Sequence, residues 1–236
     1  MLTEALAAAL ARLSPLRRSV IAEGITPEIA VPTRHGTIRV YCPGQPAAMR
    51  AVSFHNKEPE TLAWIDSLPP GVLWDVGANI GLYSLYAAKR GLRVFAFEPS
   101  PMNFAVLCRN VAINKVPVET YCVALGDQTG LGHLHVRTLR FGQADAGLYA
   151  EEPLEVSTMM FRADDFPAPK PDYLKIDIDG AEDRLLAGAP KTLAGARQIQ
   201  IECGGTYGAV ASSLGTLGFA HQKPSHHIRN VLFQRT

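Results

Sequence analysis

The sequence predicts an α/β fold in which a mainly parallel sheet carries helices on both faces, behind a small N-terminal helix and β extension. Two observations lead there. From about residue 57 onward, short apolar runs alternate with amphipathic stretches almost to the end of the chain, the pattern that successive βαβ units write into a sequence. The runs Val72 to Val76 and Arg93 to Phe97 are nearly apolar throughout rather than alternating, as strands buried on both faces are.

Each element has a local cause. Residues 2–13 place Leu2, Leu6, Leu10 and Leu13 on one helical stripe, which suits a docking or self-association helix. From Glu28 the texture turns β-like, with Ile29 to Val31, Thr37 to Tyr41 after the His35-Gly36 turn, and Ala51 to Phe54. Residues 1–56 therefore read as an N-terminal helix and β extension, and residues 57–236 as the main domain. Pro59 stands in the first turn of a helix whose inner face is Leu62, Trp64, Ile65 and Leu68, and Pro69-Pro70-Gly71 ends it.

Val72 to Val76 closes at Gly77, and a helix over Leu82 to Arg90 stops at Gly91. Arg93 to Phe97 is the next strand, Ser100-Pro101 opens a helix to about Ile113, and Val118 to Ala124 is a third strand. Alternation resumes over Leu131 to Val136 and Leu154 to Met160, on either side of a polar insertion at residues 138–153. Tyr173 to Ile178 and Gln198 to Ile201 are strands followed by helices, and Phe219 to Gln222 and Val231 to Gln234 finish the chain as strands.

Composition narrows the function classes. A chain of 236 residues suits one large domain, and 47% hydrophobic with 19% charged residues makes it globular. A formal net charge of +1 argues against partnership with nucleic acid or an anionic membrane. Cys42, Cys108, Cys122 and Cys203 form no Cys-x-x-Cys pair, so they read as reduced core thiols rather than a zinc or redox site. Glu4 and Arg12 interrupt the Ala/Leu-rich start, and no apolar run nears the roughly 20 residues of a bilayer span. The expected location is cytoplasmic, with no membrane partner.

The informative charges sit at strand ends. Asp75, Glu98, Asp177 and Glu202 each close an otherwise buried strand, and parallel strands deliver such ends to the sheet edge where ligands bind. Desolvating carboxylates is costly without a polar partner. Asp75-Val76-Gly77-Ala78-Asn79-Ile80-Gly81 is a glycine-bearing strand-to-helix turn, suited to close approach of a ligand and to anion contact at a helix start. Glu98 follows one strand-helix-strand unit later, where a carboxylate can accept both ribose hydroxyls. A nicotinamide dinucleotide site expects Gly-x-Gly-x-x-Gly. Asn79 and Leu82 stand where two of those glycines belong, so the turn suits S-adenosylmethionine better.

Taken in order, Trp74 to Ser84, Phe97-Glu98-Pro99-Ser100-Pro101, Asn103, Ala124-Leu125-Gly126-Asp127 and Leu174 to Glu182 resemble the FkbM family of S-adenosylmethionine-dependent methyltransferases. The likeness extends to Arg50-Ala51, Lys57 to Thr61 and Glu202, covering roughly residues 48–203. The resemblance implies a class I methyltransferase (Rossmann-like) mixed sheet of seven strands, the last antiparallel, and methyl transfer to a hydroxyl of a sugar or secondary metabolite. It also implies that Gly77, Ala78, Asn79 and Gly81 line the methionine end of the cofactor. Asp75 would face its ammonium, Glu98 its ribose, and Ala124 and Leu125 its adenine, with Pro99 also among the cofactor-binding residues. Asp179 departs from the family, which often has Glu there.

For the chemistry, Lys175 and Asp177 share one face of their strand. Asp177 is expected to orient or deprotonate the acceptor with Lys175 tuning its charge; alternatively Asp177 holds the methionine ammonium and Lys175 is its ion-pair partner. Glu202 and His226, the latter from the group His221, His226 and His227, are candidates to face the acceptor. Glu182 suits the helix start it occupies. Asp177 and Glu202 could hold a divalent cation, but two carboxylates are a thin ligand set and a metal is not favoured. The other readings are a non-catalytic cofactor-binding module, and a methyltransferase acting on nucleic acid or protein.

Overall fold

The computed structural model describes residues 2–25, 27–143, 146–147, 154–221 and 230–236. The chain opens with helices α1 (Leu2–Ala11) and α2 (Pro15–Gly24). The hydroxyl of Ser14 caps α2 by accepting from the Arg17 amide, with Pro15 fitting the first turn. Strands β1 (Glu28–Val31) and β2 (Ile38–Tyr41) pair antiparallel as a ribbon. Helix α3 (Gln45–Lys57) follows, and α4 (Pro59–Ser67) continues from it after a break at Glu58.

Helix α3 corrects the strand expected at Ala51 to Phe54. Val52 and Phe54 give that run a β-like composition, yet Ala47, Ala51 and Phe54 are the residues α3 buries, at helical spacing, and Pro46 favours a helix start.

Strand β3 (Val72–Val76), helix α5 (Leu82–Arg90), β4 (Arg93–Phe97), α6 (Pro101–Asn114) and β5 (Val118–Tyr121) form the first half of the main sheet. The segment then leaves it for β6 (Ala124–Gly126), β7 (Gly130–Val136), β8 (Ala146–Gly147) and β9 (Leu154–Arg162), which make a separate sheet in the order β6-β9-β7-β8. The strand expected over Val118 to Ala124 is thus two strands in two sheets, parted at Cys122 and Val123. The chain returns through β10 (Tyr173–Ile176), α7 (Glu182–Ala187), α8 (Pro190–Gly195), β11 (Gln198–Glu202), α9 (Tyr207–Thr216), β12 (Phe219–His221) and β13 (Asn230–Arg235).

The main sheet has seven strands in the order β12-β13-β11-β10-β3-β4-β5, and β13 runs antiparallel to both neighbours. This is the mixed α/β, Rossmann-like sheet expected of the sequence. Strand order reverses between β3 and β10, so the carboxyl ends of β4, β3, β10 and β11 flank a switch point, where α/β sheets bind ligands.

Apolar side chains cover both faces. On one side Ile38, Phe54, Leu73 and Leu85 join one core, so the β1–β2 ribbon and α3 pack into the main fold. On the other, Trp74, Phe97, Leu174 and Val210 form a second core. Helices α1 and α2 lie outside these cores: α2 buries no residue, and Leu6, Leu16 and Val20 are exposed. All four cysteines are free; Cys42 and Cys203 are buried but Cys122 is exposed, so it is not a core thiol. No helix among the described residues is long and apolar enough to cross a membrane.

Candidate functional site

At the switch point a cavity of about 510 Å³ opens above the strand ends. Its floor is the Gly77 turn and Asp177; one wall is the α3 face bearing Met49, Arg50 and Lys57, and the opposite wall includes Ala124, Leu125 and Leu134.

The turn after β3 depends on its glycine. Gly77 has φ 81°, and a Cβ there would run into the carbonyl oxygen of Asp177. Its amide and that of Ala78 both donate to the Phe97 carbonyl, at 2.9 and 3.0 Å, which ties the turn to β4. Asn79 also takes a left-handed conformation, φ 51°, a strain that Asn tolerates better than most residues. Gly81 packs against Leu107 and Ala78 lines a small annex beneath the cavity, so these two stand behind its surface.

Glu98 is 5% exposed and accepts from two amides, Asn79 N at 2.8 Å and Ser100 N at 2.9 Å. Burial pushes its carboxyl up to about 7 against those bonds. Pro99, Ala124 and Leu125 line the cavity beside it.

Asp75 does not reach the cavity. It is 1% exposed, its Oδ2 accepts from the Ser84 hydroxyl at 2.5 Å, and its Oδ1 finds no hydrogen bond among the described residues. The Lys175 ammonium lies 3.9 Å from that oxygen, beyond hydrogen-bond reach but close enough for Coulomb attraction. Burial raises the Asp75 carboxyl above its usual range.

Lys175 and Asp177 do share a face. The ammonium donates to Asp177 Oδ2 at 3.3 Å and is itself 3% exposed. Burial works to lower the Lys175 pKa, yet Asp177, Asp75 and Glu58 together hold it above the usual lysine value. Burial likewise works to raise Asp177, but Lys175 and a hydrogen bond with Glu202 keep it below the carboxylate range. Glu202, half-buried on the neighbouring strand, is pushed up to about 7 by burial and by the Asp177 charge. Asp179, at φ 49°, lines the cavity and is raised to about 6, chiefly by burial and then by Asp177 and Glu182.

Among the described residues, Glu58, Asp177 and Glu202 bring carboxylate oxygens within 4.8 Å of one another. Ammonium groups already meet two of them, since Lys57 donates to Glu58 at 2.7 Å and Lys175 to Asp177. Glu182 lies outside the cavity, accepting from Gly180 N and Thr206 Oγ1. His221 is bonded to the Tyr207 hydroxyl at 2.8 Å, away from the cavity. His226 and His227 lie outside the described residues.

The sequence marked Arg50-Ala51 and Lys57 only as part of the family likeness and residues 138–153 only as a polar insertion, with no contact assigned to either. Asn79 Nδ2 and Asn103 Nδ2 both donate to the Gln143 carbonyl at 3.0 Å, and Arg50 Nε donates to the Gly142 carbonyl at 2.7 Å. Asn103 Oδ1 accepts from Gly142 N in return. This part of the insertion therefore folds against the cavity; residues 144–145 and 148–153 lie outside the described residues.

The model of the family described as "Methyltransferase FkbM domain" matches residues 75–233. The 31-O-demethyl-FK506 methyltransferase FkbM of Streptomyces tacrolimicus is 30% identical, over 52% of this chain and 61% of the relative. The hexuronic acid methyltransferase AglP of Haloferax volcanii is 26% identical, over 56% of this chain and 55% of the relative. The chain thus spans a little over half the length of these curated relatives. Among solved structures, magnesium protoporphyrin IX methyltransferase from Synechocystis PCC 6803 superposes with a TM-score of 0.51 at 12% identity, over 82% of this chain and 86% of that one. That likeness is one of fold.

Proposed function

The chain belongs to the FkbM methyltransferase-domain family, and from that premise we propose that it is an S-adenosylmethionine-dependent methyltransferase acting on a hydroxyl of a sugar or small secondary metabolite. The observation that carries the reading is the placement of carboxylates along one cavity. Glu98 stands at the end of β4 and the Asp177–Glu202 pair at the ends of β10 and β11. Glu98 and Glu202 are three strand spacings apart, roughly 14 Å, the scale of a nucleoside with an amino-acid tail.

The residues present fit that cofactor. The Gly77 turn, whose φ of 81° and contact with the Asp177 carbonyl leave no room for a side chain, presents bare backbone to the cavity, and Glu98 offers a carboxylate fixed by two amides toward a ribose. Leu125 and Leu134 give an apolar seat for a base. When bound, S-adenosylmethionine supplies a methyl group on sulfonium sulfur for in-line displacement.

The chain's own part is to orient the acceptor and take its proton. Asp177, held ionised by Lys175, accepts a hydrogen bond from the acceptor hydroxyl. Glu202 removes the proton, since it is the member of the pair that titrates near neutrality. Below about pH 7 the pair holds one proton on Glu202; above it, the base is free. Residues 141–143 and the face of α3 shield the cavity from water. The exposed Leu6, Leu16 and Val20 support self-association of α1 and α2 as part of the same proposal.

The test is methyl-labelled S-adenosylmethionine offered with a neutral hexoside, a hexuronide, a macrolide alcohol, transfer RNA and a protein lysate. Label recovered in a methyl ether of one of the first three supports the reading. Label in RNA or protein overturns it, and transfer to none of them despite tight S-adenosylhomocysteine binding favours a non-catalytic module.

A further inference from the structure

Among the described residues two cations line the cavity, Arg50 and Lys57, and Lys175 borders the annex; Lys57 is bonded to Glu58 and Lys175 to Asp177. Arg50 is different. It lies on the α3 wall and borders both the main cavity and the annex under Ala78 and Asn79. Among the described residues only its Nε finds a hydrogen-bond partner, the Gly142 carbonyl at 2.7 Å, and it enters no ion pair. Its charge is felt by both Glu98 and Asp179, which line the same cavity.

The other charged groups of the cavity are mainly acidic: Glu98, Asp177, Asp179 and Glu202. Glu98 suits the ribose of the proposed cofactor, and the negative field of the others suits its ammonium and sulfonium. That molecule carries a single anion, the carboxylate of its methionyl tail, and an anion entering an acidic cavity needs a cation. A guanidinium anchored through Nε keeps two Nη groups in a fixed fork, the geometry that grips a carboxylate with two parallel bonds.

We propose that Arg50 is the cofactor's tail anchor, pairing through its Nη groups with the methionyl carboxylate while Nε holds the Gly142 carbonyl. The assignment rests on the cofactor reading above. It makes recognition of the tail depend on α3, and it places one side chain in both the cofactor contact and the 141–143 segment.

The test is calorimetry of wild type, Arg50→Gln and Arg50→Lys with two nucleosides: S-adenosylhomocysteine, which has the tail, and 5′-methylthioadenosine, which lacks it. Thermal melting of each variant checks the fold. Arg50→Gln should weaken S-adenosylhomocysteine about 10- to 100-fold and leave 5′-methylthioadenosine within about twofold, with Arg50→Lys in between. Equal loss for both nucleosides, or loss for neither, overturns the assignment. If the wild type binds neither nucleoside, the cofactor reading itself falls; wild-type binding with no discrimination in the variants removes Arg50 alone.

Discussion

Asp177 and Glu202 share a hydrogen bond where β10 and β11 deliver their carboxyl ends, with the buried Lys175 ammonium 3.3 Å from Asp177 on the inner side. The lysine fixes the charge of the first carboxylate, and that charge displaces the titration of the second. Glu58 and Lys57, from the α3–α4 junction, also face Glu202 and act on it in opposite directions.

A pH profile should show this coupling. Methyl transfer is expected to rise with pH through about 7 as Glu202 loses its proton. Asp177→Asn removes the negative charge that helps raise Glu202, so the rise should move to lower pH. Glu202→Gln should abolish it and cut turnover on the order of 100-fold, with S-adenosylhomocysteine affinity unchanged by calorimetry.

Lys175→Met leaves the buried Asp75 and the partly buried Asp177 without their cation. Removing one partner of a buried ionic group costs about 3–5 kcal/mol. Urea unfolding should show a loss of that order, and a variant as stable as wild type would mean that the lysine does not hold the pair.

Gly77→Ala forces a side chain into φ 81° and against the Asp177 carbonyl. The backbone conformation alone costs roughly 1–2 kcal/mol, and relief requires the turn to move into the cavity. Thermal melting should fall, and S-adenosylhomocysteine binding should weaken beyond what the stability loss explains.

Glu98 links pH to stability. Its folded pKa, about 7, is raised above the ordinary glutamate value, so the folded chain binds more protons than the unfolded one in between. The stabilisation is fully present below the unfolded pKa and is lost as pH rises through about 7. Melting temperature without cofactor should therefore fall from pH 5 to pH 8. Glu98→Gln should flatten that slope without removing it, because Glu202 acts with the same sign.

The carboxylate trio Glu58, Asp177 and Glu202 already meets two ammonium groups, so methyl transfer should be unchanged in excess chelator. Loss of activity restored by magnesium would show that a cation joins the site.

The glycine turn, Glu98, Asp177 and Glu202 were legible because each is set by local sequence: an apolar run, a breaker and an acidic residue at the junction. The resemblance added the order of the motifs. Arg50 was marked only as part of the family likeness, with no role, for its place depends on α3 folding across strand ends that lie far along the chain, and a β-like run at Ala51 to Phe54 concealed the helix. The hold of Asn79 and Asn103 on Gln143 is equally non-local. Asp75 looked like its fellow strand-end acids, but burial against Ser84 and Lys175 sets it behind the cavity, a difference that only packing decides.

The central claim is that the cavity takes a methyl-donor nucleoside between Glu98 and the Asp177–Glu202 pair. Side-by-side calorimetry with S-adenosylhomocysteine and NAD, on wild type and Glu98→Ala, tests it most directly. Saturable binding of S-adenosylhomocysteine alone, weakened at least about tenfold in Glu98→Ala, is the predicted result; binding of NAD in its place, or S-adenosylhomocysteine affinity indifferent to Glu98, would contradict it.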